Sequence, residues 1–427
     1  MRDEIRKRIE TVRRGEVPEG YVVENHQLHP LDWKYEKIGK YLVAHDEYSN
    51  DTGRYMLATS SRQGLLPQTD YYNDQRFDET AGGFHVVPEG YVTYRHMSDD
   101  DVFKFNVNDL GAPVLVSPEY PVFTTKAELN QSLLIGYLNG TNEFRSFCRA
   151  QKKGSTRTRM YFSRLGEFMM PIPPILEQQK IADILAACDR VIDLKKKRVE
   201  ELKQLKKTCL AKMFPREGED VPELRFPGFT APWEQRKLGE LARIKDSARI
   251  SNALWTDTGI PYLRASDLSN NDLSGVLFLE DETFQYFKNQ TGAPSCGDVL
   301  FNGGGEIGEA VLKRDNKPIY VQGGAVLYAQ TSLSEVLKGE YLATYFKTDS
   351  AQKYIEIASA GGTMKHFTLG PAQNMPITYP SSTEQNLVGQ FFHSIDNLIT
   401  LHQRELEAEQ QKKKALMQLL LTGLVRV

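Results

Sequence analysis

Two short patterns in the sequence have the residue types of a ligand site, and both lack a necessary part. Gly303-Gly304-Gly305-Glu306-Ile307-Gly308 satisfies the glycine-rich pattern GxGxxG. A phosphate site of this type requires a helix to follow, whereas Ala310-Val311-Leu312 is typical of a strand, so a flexible loop is the better interpretation. His26 and His29 have the spacing of a metal-binding pair but no Cys or carboxylate at ligand spacing, which favours a surface turn near Pro30.

The motifs of several enzyme classes are absent from the sequence. It contains no GxxxxGK[ST] for a P-loop, no GxSxG for a hydrolase and no HExxH for a zinc protease. The Asn/Asp-Pro-Pro-aromatic motif of adenine methyltransferases is also missing. We therefore predict no catalytic residue and no metal site in this chain.

Basic residues are concentrated in one segment, residues 144–166, which contains no acidic residue. Such a segment, with aromatic residues interleaved, suits contacts with DNA phosphates and base edges, although a solvated helix face followed by a loop is the alternative. The predicted DNA-binding residues here are Arg145, Arg149, Lys152, Lys153, Arg157, Arg159 and Arg164. The second half of the chain is sparser, and the predicted residues there are Arg264, Lys313 and Lys365, with Arg314 and Lys347 as further candidates.

The bulk composition is that of a globular protein and does not by itself indicate a DNA-binding protein. The 427 residues are 40% hydrophobic and carry 53 Lys and Arg against 56 Asp and Glu, a net charge of -3. The four cysteines form no close pair, which argues against a disulfide framework. The amino terminus is charged and the apolar runs are far shorter than the roughly 20 residues of a membrane span, so we expect a cytoplasmic protein.

A long block of the sequence occurs twice, at an offset of 207 residues. Residues 177–213 and 384–420 align without a gap and share nine identities in 37 positions, including Asp189/Asp396 and Lys206/Lys413. Upstream, Met170-Pro171-Ile172 recurs as Met375-Pro376-Ile377. Trp33, Lys37 and Gly39 recur as Trp233, Lys237 and Gly239, at an offset of 200. The chain therefore alternates a variable block with a repeated block.

Each repeated block is predicted to be one long helix. Apolar residues recur at alternating spacings of four and three residues, which is the seam of a coiled coil. Pro173-Pro174 precedes the first helix, and the run from Ser381 to Gln385 offers a capping box for the second. The predicted packing residues are Ile181, Leu185, Cys188, Ile192, Val199, Leu202, Val388, Phe392, Ile395, Ile399, Leu406 and Leu416.

The two helices are expected to pack against each other in antiparallel orientation, giving the chain an internal pseudo-twofold repeat. A helix over residues 177–214 would be about 57 Å long. Two unrelated helices in separate bundles are the alternative. At the amino terminus, Ile5, Ile9 and Val12 share one face of a short charged helix that either packs on a long helix or frays.

The variable blocks mix short strand-like runs with helical stretches at 127–137 and 340–357, which predicts α/β or α+β domains. A connector rich in Pro and Gly separates the two halves. The predicted organisation is an amino-terminal helical segment at 1–32, a first domain at 33–170, a central helix at 171–215, a linker at 216–232, a second domain at 233–370 and a carboxy-terminal helix at 371–427.

This arrangement resembles the specificity subunit of type I restriction-modification systems. The resemblance is carried by Met170-Pro171-Ile172-Pro173-Pro174 through Glu177-Gln178 into the long helix, by its second copy, and by Leu224-Arg225-Phe226-Pro227-Gly228-Phe229 leading to Trp233 and Gly239. It covers essentially the whole chain. The second copy departs from the pattern, with Thr378-Tyr379-Pro380 replacing the Pro-rich turn.

The resemblance implies that the variable blocks are target-recognition domains, each reading one half of a bipartite, asymmetric DNA site. It also implies that the helices are spacers that bind two methyltransferase subunits and the restriction subunits. S-adenosylmethionine, ATP and Mg²⁺ are then expected on those partners, and the chain alone is not an enzyme. The alternatives left by the residues alone are a nuclease with dispersed carboxylates and a protein scaffold with no DNA role.

Overall fold

The computed structural model describes residues 3–71, 83–152, 157–270, 272–359 and 365–427. The chain divides into two compact units. The first comprises Met1–Lys195 and Glu405–Val427, and the second comprises Lys196–Arg404. Within the described residues, no helix combines the length and the apolar character that crossing a membrane requires.

The first unit is a mixed domain of short helices and small sheets. Its helices are α1 (Asp3–Arg13), α2 (Gln68–Tyr71), α3 (Gln131–Gly140), α4 (Asn142–Ala150) and α5 (Phe162–Leu165), with a 3₁₀ turn at Ile38–Lys40. Its strands are β1 (Tyr21–Glu24), β2 (Gln27–Pro30), β3 (Lys34–Lys37), β4 (Leu42–Ala44), β5 (Tyr48–Ser49), β6 (Met56–Ser61), β7 (Gly64–Pro67), β8 (Phe84–Val87), β9 (Val92–Tyr94), β10 (Met97–Ser98), β11 (Phe105–Val107), β12 (Val114–Val116), β13 (Val122–Thr125), β14 (Thr158–Arg159) and β15 (Met169–Ile172).

Two larger sheets organise this domain. One has the order β11-β9-β13-β4 and is antiparallel. The other has the order β5-β8-β12-β6-β7, and its β12–β6 pair is parallel. A buried cluster joins Phe123 of the first sheet and Leu133 of α3 to Ile181 and Leu420, which belong to the two long helices. The domain therefore packs against the segments of the two long helices in this unit through one apolar core.

The first long helix, α6 (Ile175–Lys212), leads into the second unit. The strands there are β16 (Glu234–Lys237), β17 (Ile244–Asp246), β18 (Ile260–Leu263), β19 (Phe278–Leu279), β20 (Val299–Asn302), β21 (Ala310–Leu312), β22 (Tyr320–Val321), β23 (Val326–Ala329) and β24 (Pro376–Tyr379). The helices are α7 (Leu238–Leu241), α8 (Ala265–Ser269), α9 (Asp281–Thr291), α10 (Gly339–Tyr345), α11 (Asp349–Ala358), α12 (Leu369–Asn374) and the second long helix, α13 (Ser382–Leu421), with 3₁₀ turns at Asn252–Leu254 and Thr331–Leu333.

The second domain also rests on its share of the long helices. It has a four-stranded sheet of order β17-β23-β20-β21 and a three-stranded sheet of order β19-β18-β22. Its largest buried cluster includes Phe301 of β20 and Tyr341 of α10, together with Met213, which follows α6, and Phe392 of α13. Each domain thus shares its core with segments of both long helices.

The two long helices are antiparallel. In the first unit, Lys413 forms an ion pair with Asp189, and Lys195 lies 2.8 Å from Glu405. In the second unit, Lys206 Nζ lies 2.5 Å from Asp396 Oδ1. The identities Asp189/Asp396 and Lys206/Lys413 therefore have a structural reason, because the same cross-helix ion pair forms once in each unit.

The predicted seam positions are covered along both helices. Ile181, Leu185, Ile192, Val199 and Leu202 are each at most 6% exposed, and so are Val388, Phe392 and Ile395. Cys188, Ile399, Leu406 and Leu416 are half-buried. Outward-facing apolar residues on the same helices contrast with these, since Leu194 is 69% exposed. The four-and-three spacing therefore separates the buried face from the exposed one.

The strands that open and close each domain pair directly, which explains the short repeated motifs. β3 pairs with β15, and β16 pairs with β24. The repeated Trp, Lys and Gly residues at 33, 37 and 39 and at 233, 237 and 239 therefore lie in or next to the strand that pairs with the one preceding each long helix. Ile38 N donates to Phe168 O, and Leu238 N donates to Met375 O. Gly39 recurs because a Cβ there would lie 2.7 Å from the Gly166 carbonyl oxygen.

One sequence correspondence is wrong in register. The Met-Pro-Ile match pairs Pro171 with Pro376 at an offset of 205, but the backbone hydrogen bonds place Pro376 opposite Lys237, as Met169 lies opposite Lys37. The structural offset is therefore 207, the same as for the helices, which begin at Ile175 and Ser382. Strand register is fixed by the ladder of hydrogen bonds rather than by side-chain identity.

Two local predictions also need correction. The helical stretch at 340–357 is two helices, α10 and α11, because Thr348 caps the second with its side-chain oxygen. His29 does not lie on a surface turn, since it is 1% exposed in β2 and stacked on Tyr35. The turn is formed by Asn25 and His26, whose positive φ angles suit a two-residue hairpin.

Candidate nucleic-acid interface

The basic segment 144–166 is divided between a helix, a loop and a short strand. Arg145 and Arg149 lie on the exposed face of α4, whose other face buries Phe144 and Cys148. Arg157 precedes β14 and Arg159 is its last residue. This strand pairs with β10. Arg164 is exposed on α5, and Lys153 lies outside the described residues. The exposed arginines therefore suit contacts with an anionic partner, as the composition of the segment predicts.

The pairing of β14 with β10 places part of the basic segment beside β10, whose residues line a polar cleft. The cleft has a volume of about 660 Å³ and opens between the β6–β7 hairpin and the chain around β10. Arg62 and Arg95 are exposed cations among its lining residues, which also include Ser60, Ser61, Gln63, Met97, Ser98, Asp99, Lys104 and Glu119. Hydrogen-bond donors and acceptors thus line one concave surface of the first domain.

Carboxylates from a neighbouring loop already pair with some of the predicted cations. Arg157 Nε lies 2.7 Å from Asp99 Oδ1, and Lys152 Nζ lies 4.0 Å from Asp101 Oδ1. By contrast, the side chains of Arg145, Arg149, Arg159 and Arg164 make no hydrogen bond or ion pair with any described residue. The positive charge of the segment is therefore partly neutralised at its strand end and free on its helices.

The predicted cations of the second domain do not form a comparable group. Lys313 is wrong as a DNA contact, because it is 1% exposed and its Nζ donates to Asp315. Arg264 is half-buried, with its Nε 3.5 Å from Asp267 Oδ2. Lys365 is exposed, 3.9 Å from Glu356. Arg314 and Lys347 pair with Glu340 and Asp396 at the base of the domain.

The glycine-rich loop of this domain has no features of a phosphate site. It is followed by β21, a strand, as predicted from the sequence. Gly303 N donates to Ala325 O, and a Cβ on Gly303 would lie 2.7 Å from Phe367 O. The glycine is therefore explained by the close approach of two backbone segments.

A buried ion pair anchors each domain to the start of its own long helix. Glu384 is 1% exposed and accepts two hydrogen bonds from Arg225, at 2.7 and 2.8 Å. In the first unit, Glu177 accepts two from Arg426 and a third from Trp33 Nε1. The proposed capping box at Ser381 is half correct, because Ser381 Oγ accepts from Glu384 N while the Glu384 carboxylate binds Arg225 instead.

The glutamine that follows each of these glutamates repeats one hydrogen-bond pattern. Gln178 accepts from Asn130 N and donates to Glu128 O and Pro173 O. Gln385 accepts from Lys338 N and donates to Val336 O and Pro380 O. Both side chains are at most 1% exposed. The Glu-Gln dipeptide thus joins a helix start to the loop before a domain helix in both units.

Sequence reasoning missed several of these residues. Asp99 meets Arg157 across 58 residues of sequence and Asp100 meets Arg62 across 38, and no local pattern marks these contacts or Arg95. The partners of Glu177 and Glu384 did leave a signal. Leu224-Arg225-Phe226 and Val425-Arg426-Val427 each follow a long helix and place an arginine between apolar residues.

The chain is similar to proteins with a known role in DNA restriction. A sequence model of the family described as "Type I restriction modification DNA specificity domain" matches residues 102–204 and 231–410. The MjaVIII specificity subunit, a type I restriction enzyme subunit of Methanocaldococcus jannaschii, is 24% identical over 419 residues, which cover 93% of this chain and 94% of that protein.

Solved structures show the same fold. The S subunit of a type I restriction-modification system from M. genitalium superimposes with a TM-score of 0.58 at 12% identity, covering 93% of this chain and 97% of that one. A chain of a type I R-M system studied for complex assembly and conformational transition gives 0.52 at 15% identity, covering 93% and 99%. With two domains carried on two long antiparallel helices and a family match over more than half of its length, the chain belongs to the type I restriction-modification DNA specificity family.

Proposed function

We propose that this chain recognises a bipartite, asymmetric DNA target, with one half-site read by each domain. The observation that carries the proposal is the duplicated anchoring of the two domains. The same buried Glu-Gln pair and the same cross-helix Asp–Lys pair support a different domain in each unit. A repeated support that carries two different domains suits a protein that delivers two unlike recognition surfaces to one duplex.

The proposal extends to the partners of the chain. Two equivalent stretches of long helix provide two similar binding surfaces for one kind of subunit. Two methyltransferase subunits and the restriction subunits therefore assemble on this chain. S-adenosylmethionine, ATP and Mg²⁺ are bound by those subunits. The chain itself supplies DNA specificity, and phosphate contacts from Arg145, Arg149, Arg157, Arg159 and Arg164 fix the register of the first domain.

Mapping of methylated adenines in the genome of a host with and without the system tests this function. The expected result is a two-part motif with a fixed gap, methylated only when this chain is present with its methyltransferase partner. Methylation or cleavage by the purified chain alone would favour an enzyme. Failure of the chain and its methyltransferase partner to retain any specific duplex would favour a scaffold without a DNA role.

A further inference from the structure

The short strands β10 and β14 form a two-stranded sheet of their own beside the cleft of the first domain. Met97 of β10 lies opposite Arg159 of β14. The ladder extends by one residue, because Met160 N donates to His96 O at 2.8 Å. Arg95 connects this pair to β9, which is itself paired with β11 and β13. The backbone is therefore hydrogen-bonded on both sides of Arg95, which fixes the direction from which its side chain leaves.

The two faces of this strand pair differ in burial. Successive side chains of a strand point to opposite faces of the sheet. Four residues of the inward face are each at most 6% exposed, namely His96, Ser98, Thr158 and Met160. On the outward face Arg95 and Arg159 are exposed and Met97 is half-buried. Arg95 and Met97 are also among the residues that line the cleft. The pair therefore presents two arginines from a buried and hydrogen-bonded support.

The two outward arginines lack the partners that neighbouring arginines have. Arg62 and Arg157 pair with carboxylates of the loop after β10. Within the part of the chain that the structure describes, neither Arg95 nor Arg159 has a side-chain hydrogen bond or ion pair. The two are diagonal neighbours across the strand pair, a spacing of about 7–8 Å at which like charges repel. Two unpaired like charges this close together suit a ligand that supplies hydrogen-bond acceptors.

His96 provides a second indication of uncompensated positive charge on this surface. Burial lowers the pKa of His96, and Arg159 and Arg95 lower it further, against the opposing effect of Glu119. The ring is therefore neutral near pH 7 and adds no charge of its own. It stacks on Tyr161, which is 51% exposed, with 5.8 Å between centroids. Arginines beside an exposed tyrosine are residue types that contact DNA.

The positions of the two arginines indicate different contacts. Arg95 lines the concave cleft, whereas Arg159 lies outside its lining. The cleft lining also includes the carboxylates of Asp99 and Glu119, which repel phosphates, while base edges present both donors and acceptors. An arginine matches guanine with two parallel hydrogen bonds, to O6 and N7, and this is the commonest specific contact in the major groove. Arg95 therefore suits a base edge, and Arg159 suits the DNA backbone.

We propose that Arg95 reads a guanine in the half-site of the first domain, by donating two hydrogen bonds to its O6 and N7. This inference rests on the proposed function and names one specificity-determining residue within it. Arg159, its diagonal neighbour on the strand pair, contacts phosphate and fixes the register in which Arg95 meets the base. The two arginines thus divide base reading and backbone binding between them.

The test uses the full chain assembled with its methyltransferase partner. Binding and methylation of duplexes with every base substitution in both half-sites are measured for wild type, Arg95→Ala and Arg95→Lys. The matched control is Arg145→Ala, which removes an exposed, unpaired arginine outside the cleft lining.

Arg95→Ala is expected to lower the preference for guanine at one position of the first half-site by about 10-fold or more. Arg145→Ala is expected to weaken the binding of all duplexes alike, as loss of a phosphate contact does. Arg95→Lys keeps the charge but loses the planar pair of donors. It is therefore expected to bind unrelated duplexes like wild type and to retain only part of the guanine preference.

The remaining outcomes separate this contact from the function on which it rests. An unchanged motif in Arg95→Ala, with or without uniformly weaker binding of all duplexes, would overturn the proposal. The half-site of the second domain serves as the folding control, because a variant that still reads it is assembled. If Arg95→Ala reads neither half-site, Arg95→Lys decides, and an undiminished guanine preference in that variant would refute the contact. A wild-type complex without any bipartite motif would refute the proposed function itself, and the Arg95 contact with it.

Discussion

Arg225 and Glu384 illustrate how much a single buried pair contributes to the second unit. The linker arginine reaches the first turn of α13 and neutralises a carboxylate that is almost fully buried. Burial of an unpaired charge is far more costly than burial of a hydrogen-bonded pair. The residue that sequence analysis placed in a linker therefore has a structural role at the base of the domain.

Replacing Arg225 by Ala should destabilise the second unit by about 3–5 kcal/mol, because Glu384 would remain buried without its partner. Urea unfolding followed by circular dichroism measures this change. Lys353→Ala is the matched control, since it removes an exposed ion pair with Glu217 that solvent screens. Equal effects of the two substitutions would show that the Arg225 pair is not buried in solution.

Asp396 gives a pH-dependent prediction. Burial raises its pKa, but the nearby Lys347 and Lys206 outweigh burial and hold the pKa below the usual 3.8. A lowered pKa in the folded state adds stability above the unfolded pKa, and this stability is lost as the pH falls through the folded value. Wild type should therefore be more stable than Asp396→Asn at pH 7, and the difference should shrink below about pH 4.

Thermal unfolding of both proteins between pH 7 and pH 3 measures this difference. A gap that stays constant over the whole range would contradict the assignment, since it would mean that the charge of Asp396 contributes nothing. Lys412, whose ion pair with Glu409 lies on the outside of α13, provides a control. Lys412→Gln should leave the pH profile close to that of wild type.

At the residue scale, the sequence predicted which side chains are exposed better than it predicted which residues they pair with. The cations of segment 144–166 that the structure describes are exposed or half-exposed, as a run without acidic neighbours suggests. The pairing of Arg157 with Asp99 was not predictable, because it depends on β14 lying beside β10. Lys313 failed for a similar reason, since its backbone hydrogen bonds to Gly297 and Asp298 extend the β20–β21 pair and its side chain is buried there.

The long helices are the element for which sequence reasoning worked best. Their seams follow one period over many turns, so every apolar position supports the same assignment. Their repeated ion pairs could not be predicted in detail, because the antiparallel register sets which Asp meets which Lys. The strand register failed by two residues because a three-residue match is too short to outweigh backbone pairing.

Leu185 tests the seam directly. It is 6% exposed and belongs to the core of the first unit, so Leu185→Asp should destabilise that unit by more than about 2 kcal/mol, the lower end of the range for truncating a buried leucine. Ile395→Asp should act similarly on the second unit. Leu194→Asp is the control, because this leucine lies on the exposed side of the same helix.

Thermal melts of the three variants measure the effect. Retention of the wild-type melting temperature by both seam variants would contradict the packing of the helices. A loss of stability in Leu194→Asp as large as that in Leu185→Asp would show that the period of the seam has been assigned wrongly. Assembly with the methyltransferase partner should fail for the seam variants, because their helix surfaces are no longer formed.

On the scale of the whole molecule, the net charge of -3 conceals an uneven distribution. A cluster of exposed arginines in the first domain coexists with carboxylates that close ion pairs within both units. The duplication in the sequence corresponds to a duplicated structural element. The start of each long helix anchors a domain through the same Glu-Gln contacts, although the two domains differ. Sequence alone revealed this repeated support, whereas the contacts that would read bases under the proposed function depend on loop geometry that one sequence does not fix.

The most direct test of this account is the exchange of residues 233–370 for those of a relative with a different target. Methylated motifs are then sequenced in a host that expresses the chimera with its methyltransferase partner. Under the proposal that each domain reads its own half-site, one half of the motif should change while the other half stays as in wild type. A motif altered in both halves, or in neither, would contradict the central claim that the two domains read DNA independently.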